Sequence, residues 1–296
     1  MTTISNAPNC MYMMPEDFSV EMKNMLSGEL YDANDKKLRK LRLAMQGHSN
    51  VLRDYNVKLS HLSENQKMAL DLMRFRKQLL QKIFYSTGKN VHIESPFYAD
   101  YGCFISLGEN FYANFNCCIL DGGGVEIGDD VMFGPGVQIY TAHHPMQSDI
   151  RHGCNGHKAL ELCHRVRIGN RVWIGGNAIV NPSVTIGDDV VIGSGSVVTK
   201  DIPSGSVVAG NPARIIRTLG AGGCGSEEDE VKYLRRRTSA AMAKDASTYT
   251  RKEGSVLGKV SEMNALTFFG VVAIVVPAVF YIGYFYGTLG KSRSRS

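Results

Sequence analysis

Five of the eight histidines, His143, His144, His152, His157 and His164, fall within residues 140–165. Imidazole changes charge near neutral pH, so it can take a proton from a reacting hydroxyl or, when neutral, ligate a metal. Two of the five are adjacent and precede Pro145. The seven cysteines are odd in number and include no C-x-x-C pair, which argues against a zinc ribbon. Cys117 and Cys118 are neighbours, but a covalent thiol mechanism through them lacks a base at an obvious partner position. They read as reduced, partly buried thiols of a cytosol-facing protein. The basic residues Lys200, Arg214 and Arg217 are scattered and would by themselves form only a solvated face.

The histidine-rich stretch interrupts a regular pattern. Ile168, Ile174, Val180, Ile186, Ile192 and Val198 recur every sixth residue, and four of them are followed by glycine. Small or apolar residues stand four positions after the anchors, at Val172, Ala178, Val184, Val190 and Ser196. A helix needs apolar residues at i, i+3, i+4 and i+7, and a period of six does not supply them. It fits a parallel β-helix of three short strands per coil, stabilised by stacking. The pattern extends upstream through Leu107, Ala113 and Ile119, then Ile127, Phe133 and Ile139, with Gly122-Gly123-Gly124 shifting the phase. A long irregular loop between regular coils is either functional or disordered. The histidines therefore sit either in a functional loop or in a plain surface excursion.

A chain of 296 residues with net charge +5 suits one large domain with appendages, or two domains. No RNA-binding or helix-turn-helix signature accompanies the charge, so no nucleic-acid partner is expected. Residues 1–17 form a polar leader without the basic and apolar regions of a signal peptide. Residues 18–90 carry helical spacing and should cap the first coil, and 91–219 should form the β-helix. Residues 220–264 read as a charged linker containing a helix that starts near Ser226. The uncharged stretch 265–289 reads as a transmembrane helix, with Tyr281, Tyr284 and Tyr286 at one end and a basic tail, 290–296, beyond. The expected localisation is a single-pass C-terminal membrane anchor, with the β-helix facing the cytosol. The mitochondrial outer, peroxisomal and endoplasmic reticulum membranes all remain open as hosts.

Residues 22–219 resemble the maltose and galactoside O-acetyltransferases, the sugar branch of the hexapeptide-repeat acyltransferases. The resemblance is carried by Gly28-Glu29-Leu30-Tyr31, Asn110-Phe111-Tyr112-Ala113-Asn114-Phe115-Asn116, Tyr140-Thr141-Ala142-His143-His144-Pro145, Val172-Trp173-Ile174-Gly175-Gly176 and Asn211-Pro212-Ala213-Arg214. It implies a left-handed parallel β-helix, a homotrimer with active sites between subunits, acetyl-CoA as co-substrate and a small hydroxyl acceptor, a sugar in this family. It assigns His144 as general base and leaves His143, where relatives carry Thr or Gly, as a bystander. Asp100 and Asn114 fall at acceptor-binding positions. Trp173, Gly176, Ser194, Thr199, Lys200, Arg214 and Arg217 fall at acetyl-CoA-binding positions, with the Gly176 N–H as the oxyanion donor. No metal is expected.

Three departures qualify the match. Gly122 stands where the galactoside enzymes have an acidic acceptor-binding residue, the loop after Pro145 is about five residues longer than in the maltose enzymes, and nothing beyond Leu219 has a counterpart. The competing readings are a membrane-anchored, non-catalytic β-helix scaffold and a metal hydratase using His152 and His157, which lie in the loop and not on coils. Maltose, glucose, a galactoside, an amino-sugar oligomer and a non-sugar alcohol all stay open as acceptors.

Overall fold

The six-residue period becomes three parallel sheets running along one coil. The computed structural model describes residues 17–60, 66–154 and 158–219. The first sheet stacks Ser86–Thr87, Ile105–Leu107, Val125–Ile127, Val166–Ile168 and Thr185–Ile186. The second stacks His92–Ile93, Tyr112–Ala113, Met132–Phe133, Trp173–Ile174, Val191–Ile192 and Ser206–Ala209, and Arg214–Thr218 closes it as an antiparallel edge. The third stacks Phe97–Ala99, Cys117–Leu120, Gln138–Tyr140, Ile179–Val180 and Val197–Val198. Successive anchors visit successive sheets, so each returns to the same line one coil later. Ala113, Phe133, Ile174 and Ile192 are in register along the second sheet and all are buried. Alternation along each strand sends the anchor inward and its predecessor outward.

Asn90, Asn110, Asp130, Arg171 and Asp189 occupy the corner between the first and second sheets with φ between 55° and 57°. Asn and Asp tolerate this left-handed conformation better than other side-chain-bearing residues. Here they also bond along the stack, Asn90 Nδ2 to Asn110 Oδ1 at 3.0 Å and Asn110 Nδ2 to Asp130 Oδ1 at 2.8 Å.

Among the described residues three helices precede the coil. Helix α1 (Val20–Ser27) is capped by Ser19 Oγ, which accepts Met22 N–H at 3.3 Å, and it ends at Gly28 with φ 81°. Helix α2 (Lys36–Ser60) starts on the Asp35 carboxylate, which accepts the N–H groups of Lys37 and Leu38. Helix α3 (Gln66–Ile83) leads into the first strand. Leu52, Leu79, Leu80 and Ile83 join the coil's core. Met22, Met25, Tyr31, Leu38 and Leu41 form a second cluster with Tyr101, Cys103 and Cys163.

The membrane assignment is corrected. No helix among the described residues is long and apolar enough to cross a membrane. The longest, α2 and α3, carry Lys and Arg along their length, which hydrocarbon would not accept cheaply. The segment 265–289 on which the anchor rested lies outside the described residues, as do residues 1–16 of the leader 1–17, the linker and the basic tail.

Candidate active site

Three successive turns stack at the corner between the third and first sheets: residues 100–104, 121–124 and the loop 141–165. The loop is less irregular than its sequence suggests. Ala142–His143 pairs antiparallel with Leu162–Cys163, and a short helix, α4 (Ser148–His152), lies between them. Buried Thr141 anchors the start: its N–H and Oγ1 donate to the Leu120 carbonyl at 3.0 and 2.5 Å, and Oγ1 accepts the Gly123 N–H at 2.8 Å. The returning strand closes on it through His164 N–H to Thr141 O at 2.8 Å. This approach explains Gly122 and Gly123. A Cβ on Gly122 would stand 2.6 Å from Cys163 Sγ, and one on Gly123 2.7 Å from the His164 carbonyl carbon.

The N-terminal region straps the same loop from outside. Tyr31 and Glu161 exchange backbone hydrogen bonds at 3.1 and 3.0 Å, and Tyr31 Oη donates to Glu161 Oε2 at 3.0 Å. Cys163 Sγ lies 3.4 Å from the same hydroxyl. Burial pushes the Cys163 thiol up to about 11 and the Tyr31 hydroxyl well above its ordinary range. Lys158 Nζ pairs with Asp32 at 2.7 Å, holding that carboxyl below its usual value.

His144 emerges exposed from this stem, immediately after the strand ending at His143. His143 is not isolated: its Nε2 lies 2.7 Å from Nδ1 of His164. Asp100 is half-buried two coils below, and burial raises its carboxyl despite the opposing charge of Arg42. Arg42 Nη1 donates to Tyr101 Oη at 2.7 Å. Asp121 is fully buried and accepts the N–H groups of Tyr101 at 2.8 Å and Phe104 at 3.2 Å.

Most of the remaining candidates lie elsewhere. Asn114 sits at the corner between the second and third sheets, its Oδ1 accepting the Phe115 N–H at 2.8 Å. Gly176 and Ser194 follow at the same corner in later coils, and the Gly176 carbonyl accepts the Gly195 N–H at 2.9 Å. Trp173 projects from the second sheet, 52 % exposed, between Met132 and Val191. Arg214 and Arg217 lie on the edge strand of that sheet. Thr199 and Lys200 are exposed at the third-to-first corner, the one that carries Asp100 and His144. One chain therefore divides Asp100, His144, Thr199 and Lys200 from Asn114, Gly176 and Ser194, at two corners with the third sheet between them, while Trp173, Arg214 and Arg217 lie on the second sheet. His152 is exposed on α4, and His157 lies outside the described residues. Among the described residues no group of three His, Cys, Asp or Glu is placed to hold a metal ion.

The outward faces differ in chemistry. The first sheet presents Ser86, Ser106, Glu126, Arg167 and Thr185. The second presents His92, Tyr112, Met132, Trp173, Val191 and Val207, and the third Tyr98, Cys118, Gln138, Ile179 and Val197. Two faces are largely apolar and one is polar.

Residues 165–200 match the bacterial transferase hexapeptide (six repeats) family, and residues 24–88 match the maltose acetyltransferase hexapeptide capping motif. Galactoside O-acetyltransferase of Escherichia coli is 43% identical over 165 residues, 56% of this chain and 75% of that protein. The crystal structure of a maltose O-acetyltransferase from Clostridium difficile superimposes with a TM-score of 0.59 at 42% identity, covering 68% of this chain and 98% of the other. A galactoside acetyltransferase in complex with coenzyme A gives a TM-score of 0.58 at 34% identity, covering 69% and 92%. The chain belongs to the maltose and galactoside O-acetyltransferase family of hexapeptide-repeat acyltransferases. It is an acetyltransferase.

Within this family fold, sequence reasoning missed the partners that hold the loop. Glu161 and His164 carry no motif, and Arg42 lies in a helix rich in basic residues. Tyr31 was visible only as part of a matching tetrapeptide, without a sign that it would meet a residue 130 positions away.

Proposed function

We propose that the chain transfers the acetyl group of acetyl-CoA to a hydroxyl of a small sugar, maltose-, glucose- or galactoside-like, with His144 as general base. The observation that carries this reading is the division of the motif residues between the two corners that flank the apolar third sheet. A homotrimer of left-handed β-helices, packed through the apolar faces, would set the His144 corner of one copy beside the Asn114 and Gly176 corner of the next. The CoA-bound relative supports the donor.

In the proposed reaction Asp100 and Asn114 hold the acceptor. The His144 imidazole takes the proton of the acceptor hydroxyl while its oxygen bonds to the thioester carbonyl carbon. The resulting oxyanion is met by the Gly176 N–H. As the C–S bond breaks, the imidazolium returns its proton to the leaving thiolate, giving ester and free CoA. Trp173, Ser194 and Thr199 line the path of the pantetheine arm, and Lys200, Arg214 and Arg217 supply cations for the phosphates.

Acetyl-CoA-dependent thiol release, measured over a panel of sugars and non-sugar alcohols, tests the assignment. Sugar-dependent release is expected. Release with none of the sugars, or only with a non-sugar alcohol, would overturn it.

A further inference from the structure

His143 and His164 are bonded ring to ring, Nε2 to Nδ1 at 2.7 Å, with ring centroids 4.8 Å apart and planes inclined by 25°. The proposed chemistry uses neither. The bond needs a hydrogen on one of the two facing nitrogens and a lone pair on the other, so one ring donates and its partner accepts. His164 is fixed from the coil through its N–H on Thr141 O, and Thr141 is itself bonded to Leu120 and Gly123. His143 directly precedes His144. A continuous series of hydrogen bonds thus runs from the rigid coil to the backbone beside an exposed histidine. Precise placement of a reacting group depends on such supporting contacts.

We infer that the His143–His164 pair is a positioning clasp for His144, closed while at least one ring is neutral and opened when both are protonated. Two N–H donors facing each other at 2.7 Å repel, so the second proton breaks the bond. Burial, together with His164, holds the His143 imidazole below its usual value, which keeps the clasp closed near neutral pH. The titratable and charged groups around it are His144 in the same segment, Glu161, Cys163 and Arg165 on the returning strand, and Tyr31, bonded to both Glu161 and Cys163. Helix α1 contributes the backbone of Gly28, where a Cβ would stand 3.5 Å from the His164 ring.

The inference rests on His144 being the base, and the test separates the two. An Asn amide can occupy the place of a histidine Nδ1 and a Gln amide that of Nε2, so His164→Asn and His143→Gln keep the bond while His164→Leu and His143→Leu break it. In the full chain, both Leu variants should lower kcat about 10- to 100-fold with the KM for acetyl-CoA changed less than about twofold, and the amide variants should restore most of the rate. The acid limb of the wild-type kcat profile should be steeper than that of His164→Asn, which lacks the second titrating ring. Imidazole NMR titration of the unsubstituted chain should show His143 and His164 titrating as a coupled pair. Leu variants with wild-type kcat, equal damage from Asn and Leu at position 164, acid limbs of equal slope, or independent titration of the two rings would each overturn the clasp. Retained activity in His144→Ala would instead remove the base assignment and leave the coupled titration standing.

Discussion

The backbones of Gly123 and His164 are in contact, so close that a Cβ on Gly123 would stand 2.7 Å from the His164 carbonyl carbon. That contact lets the returning strand of the loop reach Thr141 and close the stem below His144. Gly123→Ala should displace the strand, lower stability by about 1–3 kcal/mol and reduce turnover in parallel. Gly47, where an added Cβ meets nothing within 4 Å in α2, is the contrasting site. Gly47→Ala should stabilise by about 0.5–1 kcal/mol through helix propensity. Urea unfolding of the two variants checks both signs.

His144→Ala should lower kcat by about 10²- to 10⁴-fold while acetyl-CoA binding, followed by calorimetry, stays close to wild type. A comparable loss of acetyl-CoA affinity would move His144 from proton transfer to donor binding.

The outward apolar face of the third sheet should be an interface. Ile179 projects from it between Gln138 and Val197. Ile179→Lys should leave the coil folded, because the side chain points away from the core, yet shift sedimentation from the proposed trimer to monomer and reduce activity by about 10²-fold or more, since an unpaired charge is costly to bury. An active monomer would show that one chain holds a complete site.

Asp121 should give stability a recognisable pH dependence. Burial is the main cause that pushes its carboxyl up to about 7, against the opposing backbone N–H groups of Tyr101, Gly102 and Phe104. The folded pKa lies above that of the unfolded chain. Its contribution is therefore complete below the ordinary carboxylate value and is lost as pH rises through about 7. Asp121→Asn lacks that titration, so the stability gap between wild type and variant should narrow between about pH 4 and pH 8. Denaturant unfolding at several pH values measures the gap, and one that widens with pH would reverse the assignment.

The coil and its register were legible in the chain. The spacing of Ile168, Ile174 and Val180 expresses strand alternation and corner length, both local properties of the backbone, and it survives interruption because each coil repeats the same geometry. The motif residues around His144, Trp173 and Asn211 were legible for the same reason, as contiguous strings. The glycines at 122–124 registered as a phase shift and, at Gly122, as a departure from the relatives, whereas the structure shows Cys163 pressing on Gly122 and His164 on Gly123.

Tertiary structure alone decided which side chains meet. Asn114 and His144 are both motif residues, yet the order of sheets puts them at different corners of one chain. His143 looked idle until the two ends of the loop brought it to His164, and Tyr31 finds Glu161 only because the N-terminal segment crosses the loop. Local spacing determines where a backbone turns, since bond geometry and side-chain alternation act over a few residues. Contacts between rings and carboxylates from distant segments depend instead on how a loop closes and what packs over it, and no short-range pattern encodes that closure.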